Sequence, residues 1–471
     1  MLGGSSAINH MIYIRGNPWE EVLPYFIKSE NNRSPKVANA YGGRYHGVGG
    51  YQSVDFMPES LPYDSILMKA YKESGYSQLV DFNAVEHIGY GRAQFIIEGA
   101  TRASSAKSFL KPVKNRKNLH IIKNAFVTSL LFDSDNTVRG VNLKIQGKHV
   151  MQAITRKEVV LSAGAFNTPH ILMLSGIGTR KQLDVLNIPL KAELSVGKNF
   201  QDHVFVPLFY GLNQPISNYY KLLIRTIFKA VRYIFNDRDQ LIVLDRLRNV
   251  LAFENTKNHS AEFPDVQYYS AYFPKGDFTA FKFFKIHNYE PYITDSFRKH
   301  LAKQDIAGVF ISALIPKSRG MIKIVSTNPS DHLWLDTGFF SEPEDLTTFI
   351  RAIRNQQLLF NSPIFKKYKA DIIKLDIPGC AKHTFDSDQY WHCYVRHMST
   401  STYHPSGTAK VGPKTDPDAV VDSQLRVHGI KGLRVIDASI FPIIPSGNTH
   451  APTMMVAEKG SDMIKQFYLD L

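Results

Sequence analysis

The feature that most constrains this chain is a short apolar strand that ends on one acid. Leu433-Arg434-Val435-Ile436 runs into Asp437, and a turn, Ala438-Ser439, follows. In open α/β sheets, a strand end with a lone carboxylate before a turn presents groups to a bound ligand. A second segment has the same pattern. Glu158-Val159-Val160-Leu161 reads as a buried strand and Ser162-Ala163-Gly164 as a tight turn. Ile171, Leu172 and Leu174 give the buried face of a short helix. Thr168 is placed to cap that helix and Pro169 to take its first position, where no N–H is needed. Gly176 ends it. Strand, glycine turn and helix place the chain in the α/β class, with mixed α+β character.

Two histidines flank the strand that ends on Asp437. His404 lies in Tyr403-His404-Pro405-Ser406-Gly407-Thr408, and His450 in Gly447-Asn448-Thr449-His450-Ala451-Pro452. Both settings are loop-like. With 17 histidines in the chain, residue type alone marks neither. At the other end, Gly3-Gly4-Ser5-Ser6 is a turn whose N–H groups and hydroxyls can cradle a phosphate. Asn9, Tyr13 and Arg15-Gly16 follow it. Such turns normally follow a strand, so a strand is expected ahead of this one. Thr101 to Ser108 leads into a short helix. Leu119–Ile122, Ala125–Phe132 and Val138–Ile145 read as strands separated by turn residues such as Asp133-Ser134-Asp135-Asn136.

Residues 200 to 395 differ in character. Tyr268, Tyr269, Tyr272, Phe273, Phe278, Phe281, Phe283, Phe284, Tyr289 and Tyr292 make an aromatic-dense stretch, most of it expected in the core. Strands are expected at Val309–Ile315 and Met321–Val325, and a helix at Pro343–Phe360. A chain of 471 residues is long for one core, so two or three domains are expected. The net charge of +14 comes from Lys and Arg spread along the chain without a dense block. Nucleic acid is therefore not an expected partner. The most basic stretch, Lys221 to Arg248, reads as an amphipathic helix. Cys380 and Cys393 are the only cysteines, which implies no disulfide framework. His392, Cys393 and His397 lack a second pair at zinc spacing, so no metal site is expected. No apolar run is long enough to span a membrane. Sequons at Asn32 and Asn258 are compatible with secretion, although no signal peptide is visible. There is no G-x-S-x-G elbow, which sets a nucleophilic hydrolase aside.

Three separated segments together resemble the glucose–methanol–choline (GMC) family of flavin oxidoreductases. The first is Leu2-Gly3-Gly4-Ser5-Ser6-Ala7-Ile8-Asn9 with Tyr13 and Arg15-Gly16. The second is Gly164 to Gly178, continued by Val196-Gly197-Lys198-Asn199-Phe200-Gln201-Asp202-His203. The third is Tyr403 to Thr408, Gly432 to Ser439 and Gly447 to Pro452. Val420-Val421-Asp422 and Ala457-Glu458-Lys459 are similar to the insect glucose-dehydrogenase-like branch.

The resemblance implies FAD in a discontinuous Rossmann-like domain, residues 1–24, 101–205 and 396–471. A substrate-binding domain with an antiparallel sheet and flanking helices would take residues 25–100 and 206–395. It implies Gly3, Gly4, Ser5 and Asn9 along the FAD, the Val127 backbone at the adenine end, and Asp437, Ala438, Ala451 and Thr453 on the flavin side. His404 falls at the catalytic base, and His450 where relatives carry His or Asn. The implied substrate is an alcohol or sugar, and the implied electron acceptor oxygen or a quinone. A secreted location is implied as well. The family's G-x-G-x-x-G turn is absent from the sequence, so the Rossmann-like domain is expected to lack its N-terminal βαβ unit. That absence also keeps open a truncated, inactive paralogue acting as a binding protein. A hydroxynitrile-type lyase on the same fold is a third reading.

Overall fold

The computed structural model describes residues 2–16, 20–57, 61–99, 101–216, 224, 227, 247–258 and 260–470. The basic stretch between 221 and 248 lies almost wholly outside them. The strands that carry the fold are β1 (Gly89–Arg92), β2 (Ala125–Phe132), β3 (Val138–Ile145), β4 (His149–Ile154), β5 (Val159–Leu161), β6 (Val204–Leu212), β7 (Leu247–Glu254), β8 (Val266–Phe273), β9 (Asp305–Ala313), β10 (Ala370–Ile372) and β11 (Leu433–Val435). The main helices are α1 (Pro62–Glu73), α2 (Gly164–Leu174), α3 (Pro343–Phe360), α4 (Asp388–Met398) and α5 (His450–Leu469).

A seven-stranded antiparallel sheet runs β10-β6-β9-β8-β7-β1, with Thr400–Ser401 also paired to β6. β6, β8 and β9 are buried along their whole length, so both faces must be covered. Side chains alternate across a strand, and the neighbours of β6 show the two covers. Phe209 packs edge-on against Phe297, while Tyr210 stacks flat on Phe360 at the end of α3. The aromatic stretch is chiefly core, as expected: Tyr268, Tyr269, Tyr272, Phe273, Phe283 and Phe284 are buried, Phe281 and Tyr289 half-buried, and Phe278 and Tyr292 exposed. A second hydrophobic cluster gathers β5, β11, α2 and α5, including Leu161, Leu172, Val435 and Val456. There β5 pairs in parallel with β11, Leu161 beside Val435. Among the described residues, no helix is long and apolar enough to cross a membrane.

Four expectations are corrected. Residues 119–122 form no strand, and Ile121 and Ile122 are exposed; β2 and β3 pair in a separate three-stranded sheet whose third strand is instead β4, paired with β3. α2 begins at Gly164, so Thr168 and Pro169 lie inside it rather than at its cap and first position. The two cysteines are joined as a disulfide, Cys380–Cys393, tying α4 to the turn before it; His397 Nδ1 lies 3.6 Å from the Cys393 sulfur. Asn32, a glycosylation candidate by sequence, is buried and hydrogen-bonded to Glu30.

One buried polar cluster locks the start of the chain. Arg15, Glu30, His46 and Asp81 are all buried. Arg15 donates to Glu30 at 2.6 Å. His46 meets Glu30 through Nδ1 at 3.1 Å and Asp81 through Nε2 at 2.7 Å. Burial alone would lower the His46 pKa, but its bonds to the two carboxylates outweigh burial and raise it. Burial would raise that of Glu30, but Arg15 and His46 hold it low. Removing one partner leaves a buried charge unpaired. Glu30→Gln should therefore lower unfolding free energy by about 3–5 kcal/mol in urea titration. His46 binds a proton more tightly when folded. Its contribution is thus full below its unfolded pKa of about 6.5 and is lost as pH rises through its higher folded value. The stability gap between the parent and His46→Gln should narrow over that alkaline range.

Candidate active site

The site is built where two chain segments pair out of step. Val204 pairs with Ser401, and three residues back Gln201 pairs with Ser406. Between those pairs one strand advances three residues and the other five. The excess bulges out of the ladder, as extra residues in a strand must, and the bulge carries Tyr403 and His404. Tyr403 takes a left-handed φ of 62°, an uncommon conformation that clusters at functional sites. Gly407 is needed beyond it: a Cβ there would lie 2.3 Å from the Asn199 carbonyl oxygen.

Asp202 anchors the bulge. Its Oδ1 accepts the His404 backbone N–H at 2.9 Å, and its Oδ2 accepts the Ser401 hydroxyl. Burial pushes its pKa up to about 7, against the pull of these donors. The His404 ring is held from both sides. Nδ1 faces His203 Nδ1 at 2.9 Å and Thr402 Oγ1 at 3.0 Å. Nε2 faces the Asn448 amide at 3.4 Å. Asn448 is oriented by Gln267, whose amide reaches its Oδ1 at 3.4 Å, and by Tyr269, whose hydroxyl lies 3.3 Å from its Nδ2. Gly447 lets this loop lie against the segment locked by Arg15, since a Cβ there would sit 2.5 Å from the Ile14 side chain.

His450 is not in that chain of contacts. It opens α5 and its Nε2 lies 3.4 Å from Gln52 Oε1. Burial, and then the nearby Arg102 charge, hold its pKa down to about 4. The group at the far nitrogen of His404 is Asn448, from the same loop. Sequence reasoning did not single it out, although its Gly447-Asn448 turn setting was a signal. Gln267, Tyr269 and His203 were equally undistinguished as site residues.

The side chain of Asp437 serves the fold. Oδ2 accepts from the Gly164 N–H at 2.8 Å and from the Thr168 hydroxyl at 2.6 Å, and Oδ1 accepts from the Ser439 N–H at 2.8 Å. This explains why α2 starts early. A distant carboxylate satisfies its first N–H and suits its positive end. Pro169 cannot donate to the Ala165 carbonyl, and the Thr408 hydroxyl does so instead at 2.8 Å. The Ala438 carbonyl accepts from the Gly407 N–H at 3.1 Å.

The remaining predicted residues fall in two further places. Ala451 is buried in the first turn of α5, and the Thr453 hydroxyl bonds back to the Thr449 carbonyl. Gly3 and Gly4 have left-handed φ of 88° and 53°, and the space beside Gly4 is open. A Cβ on Gly3 would crowd Ala106 at 3.1–3.2 Å. Ser5 lies in the turn of 3₁₀ helix that begins there. Asn9 Oδ1 accepts from Arg102 at 2.7 Å. Val127 lies on β2, paired with Leu143. Its neighbour Phe126 lines an open cleft of about 650 Å³.

Comparison with known proteins adds to this geometry. Family models described as GMC oxidoreductase match residues 1–205 and 316–457. The glucose dehydrogenase [FAD, quinone] of Drosophila melanogaster is 34% identical over 99% of this chain and 74% of its own length. The ecdysone oxidase of Spodoptera littoralis is 32% identical over 100% of this chain and 78% of its own length. A solved formate oxidase of Aspergillus oryzae superimposes with a TM-score of 0.84 at 25% identity, covering 100% of this chain and 84% of that one.

The raised pKa of Asp202 gives a test of the bulge. Its folded value lies above the unfolded one, so the native state favours the protonated form and loses stability as pH rises through it. Asp202→Asn cannot ionise yet keeps an acceptor for the His404 N–H. Relative to the parent, it should gain thermal stability as pH rises from about 4 to about 7, read by melting curves across that range.

Proposed function

Because this chain belongs to the GMC oxidoreductase family, we propose that its FAD-dependent oxidation of an alcohol or sugar CH–OH group uses His404 as the base. The observation that supports this reading is the His404 ring itself, bracketed by His203 and Asn448 with both nitrogens in defined contacts. A neutral imidazole has a lone pair that can take a hydroxyl proton, which suits His404 to the role of base. Asn448 lies beside the same nitrogen, where its amide can donate to the substrate oxygen.

The residues present fit the flavin end of FAD. Gly164 has φ +81° with open space where a Cβ would be, and the turn after β11 is rigidly held by Asp437. The N–H groups of the α5 start offer donors and a positive dipole end. Ala438, Ala451 and Thr453 would line that end, with Gly3, Gly4, Ser5 and Asn9 along the cofactor and the Val127 backbone toward its adenine. FAD supplies acceptance of the hydride from the substrate carbon. The protein's share is to hold that carbon, remove the proton from its hydroxyl at His404 Nε2, and steady the oxygen through Asn448.

The same proposal divides the chain at the boundaries read from sequence, a reading supported by one hydrophobic cluster that falls mostly in 25–100 and 206–395 and a second mostly in 101–205 and 396–471. It gives the electrons to oxygen or a quinone. It also places the protein outside the cell, a reading supported by the Cys380–Cys393 disulfide, because such bonds persist in oxidising compartments.

His404→Ala should lower turnover roughly 10²–10⁴-fold while the flavin absorbance of the FAD-loaded protein stays unchanged. Full turnover in that variant would rule His404 out as the base. Asn448→Ala should cost less, about tenfold, as loss of one hydrogen bond to the reacting oxygen.

A further inference from the structure

The rings of His203 and His404 meet almost at right angles, 84° apart with centroids 5.2 Å from one another. Their Nδ1 atoms are 2.9 Å apart. Two lone pairs at that distance repel and two N–H groups clash, so one nitrogen carries a hydrogen and the other does not. The far side of each ring decides which. His203 Nε2 lies 3.1 Å from the Leu314 carbonyl oxygen, which can only accept. Nε2 therefore carries a hydrogen. A neutral imidazole has one N–H, and burial keeps His203 neutral, with its pKa lowered to about 4. Its Nδ1 is bare, and His404 Nδ1 must donate to it.

Two more contacts agree. The Thr402 hydroxyl gives its hydrogen to the His203 carbonyl at 2.9 Å, so a lone pair is left to face His404 Nδ1. On the other side of the ring, the Asn448 NH₂ group can only donate, so His404 Nε2, 3.4 Å away, accepts.

We propose that His203 is a positioning residue that locks His404 in the Nδ1–H tautomer, leaving the lone pair on Nε2 beside Asn448. This rests on the reading of His404 as the base. His203 Nδ1 has no hydrogen to give and can only accept, whereas the Thr402 hydroxyl can turn to donate. Without His203 the ring can therefore carry its hydrogen on Nε2, where an incoming proton must land. Once Nε2 has taken a proton, His203 still accepts from Nδ1–H and the ring does not turn. The Asp of a Ser-His-Asp triad fixes its histidine in the same way, but here the partner is uncharged. It orients the ring without tying a negative charge to it.

The test is a nitrogen-15 histidine spectrum of the full FAD-loaded chain, with His404 assigned by its loss in His404→Gln. Ring nitrogens with and without hydrogen are well separated in such spectra. The expected result is a hydrogen on Nδ1 of His404 and a bare Nε2. Finding the hydrogen on Nε2 in the parent protein would overturn the proposal without any variant at position 203. Two variants then separate positioning from packing. His203→Asn can place an oxygen near the Nδ1 position but loses the bond to Leu314. His203→Gln can keep the bond to Leu314 but withdraws the acceptor. His203→Asn should retain the tautomer and most of kcat. His203→Gln should mix the tautomers and lower kcat roughly tenfold or more with KM little changed. The opposite order would mean that His203 acts only through Leu314, and identical spectra would mean that its acceptor does not set the tautomer; either result overturns the proposal. Turnover of His404→Ala separately judges the base, and the tautomer readout does not depend on it.

Discussion

The carboxylate of Asp437 takes N–H and hydroxyl donors from Gly164, Thr168 and Ser439, and it is buried while doing so. Hydrogen bonds to a charged group contribute about 1.5–3 kcal/mol each, and a buried charge without donors would be costly. These donors fix the start of α2 relative to the end of β11. The turn they hold then receives the 407–409 segment, since Ala438 and Ser439 accept from the Gly407 and Ala409 N–H groups. Thr408 completes the join by filling the gap that Pro169 leaves in α2. The placement of His404, a few residues earlier, descends from this one acid.

From His404 outward, orientation passes through groups that leave little choice. Leu314 offers only an acceptor, His203 then has one donor and one acceptor, and Asn448 presents its amide nitrogen because Gln267 donates to its oxygen. Each partner fixes the next. Gln267 and Tyr269 lie on β8 and Leu314 directly follows β9, two central strands of the large sheet, and rigid elements hold catalytic geometry better than free loops do.

The sequence carried the elements whose signal is local. Ala125–Phe132, Val138–Ile145 and Pro343–Phe360 were legible to the residue, because apolar periodicity and turn residues bound them directly. The start of α2 was not, because the group that caps it lies 273 residues away. The disulfide was not, since two cysteines alone do not announce a pair. Strand β4 escaped because it is exposed on both faces and its large apolar residues, Val150, Met151 and Ile154, follow no alternation. His404 stood out through its motif. Asn448, Gln267 and Tyr269 did not, since their roles come from strand register and from a bulge, neither of which is written in residue types.

The separations along the chain have a consequence for how the molecule is made. His203 and His404 are 201 residues apart, Asp202 and Ser401 are 199 apart, and Gln52 and His450 are 398 apart. Closing loops of that length costs entropy before any contact repays it, and non-local topologies fold slowly. The parts of this site therefore come together late, along with the other long-range pairings such as Leu161 with Val435. During synthesis the ribosome will have released most of the chain before His404 can meet His203. An emerging chain carries its unpaired strands until then, and exposed strand edges of that kind favour aggregation.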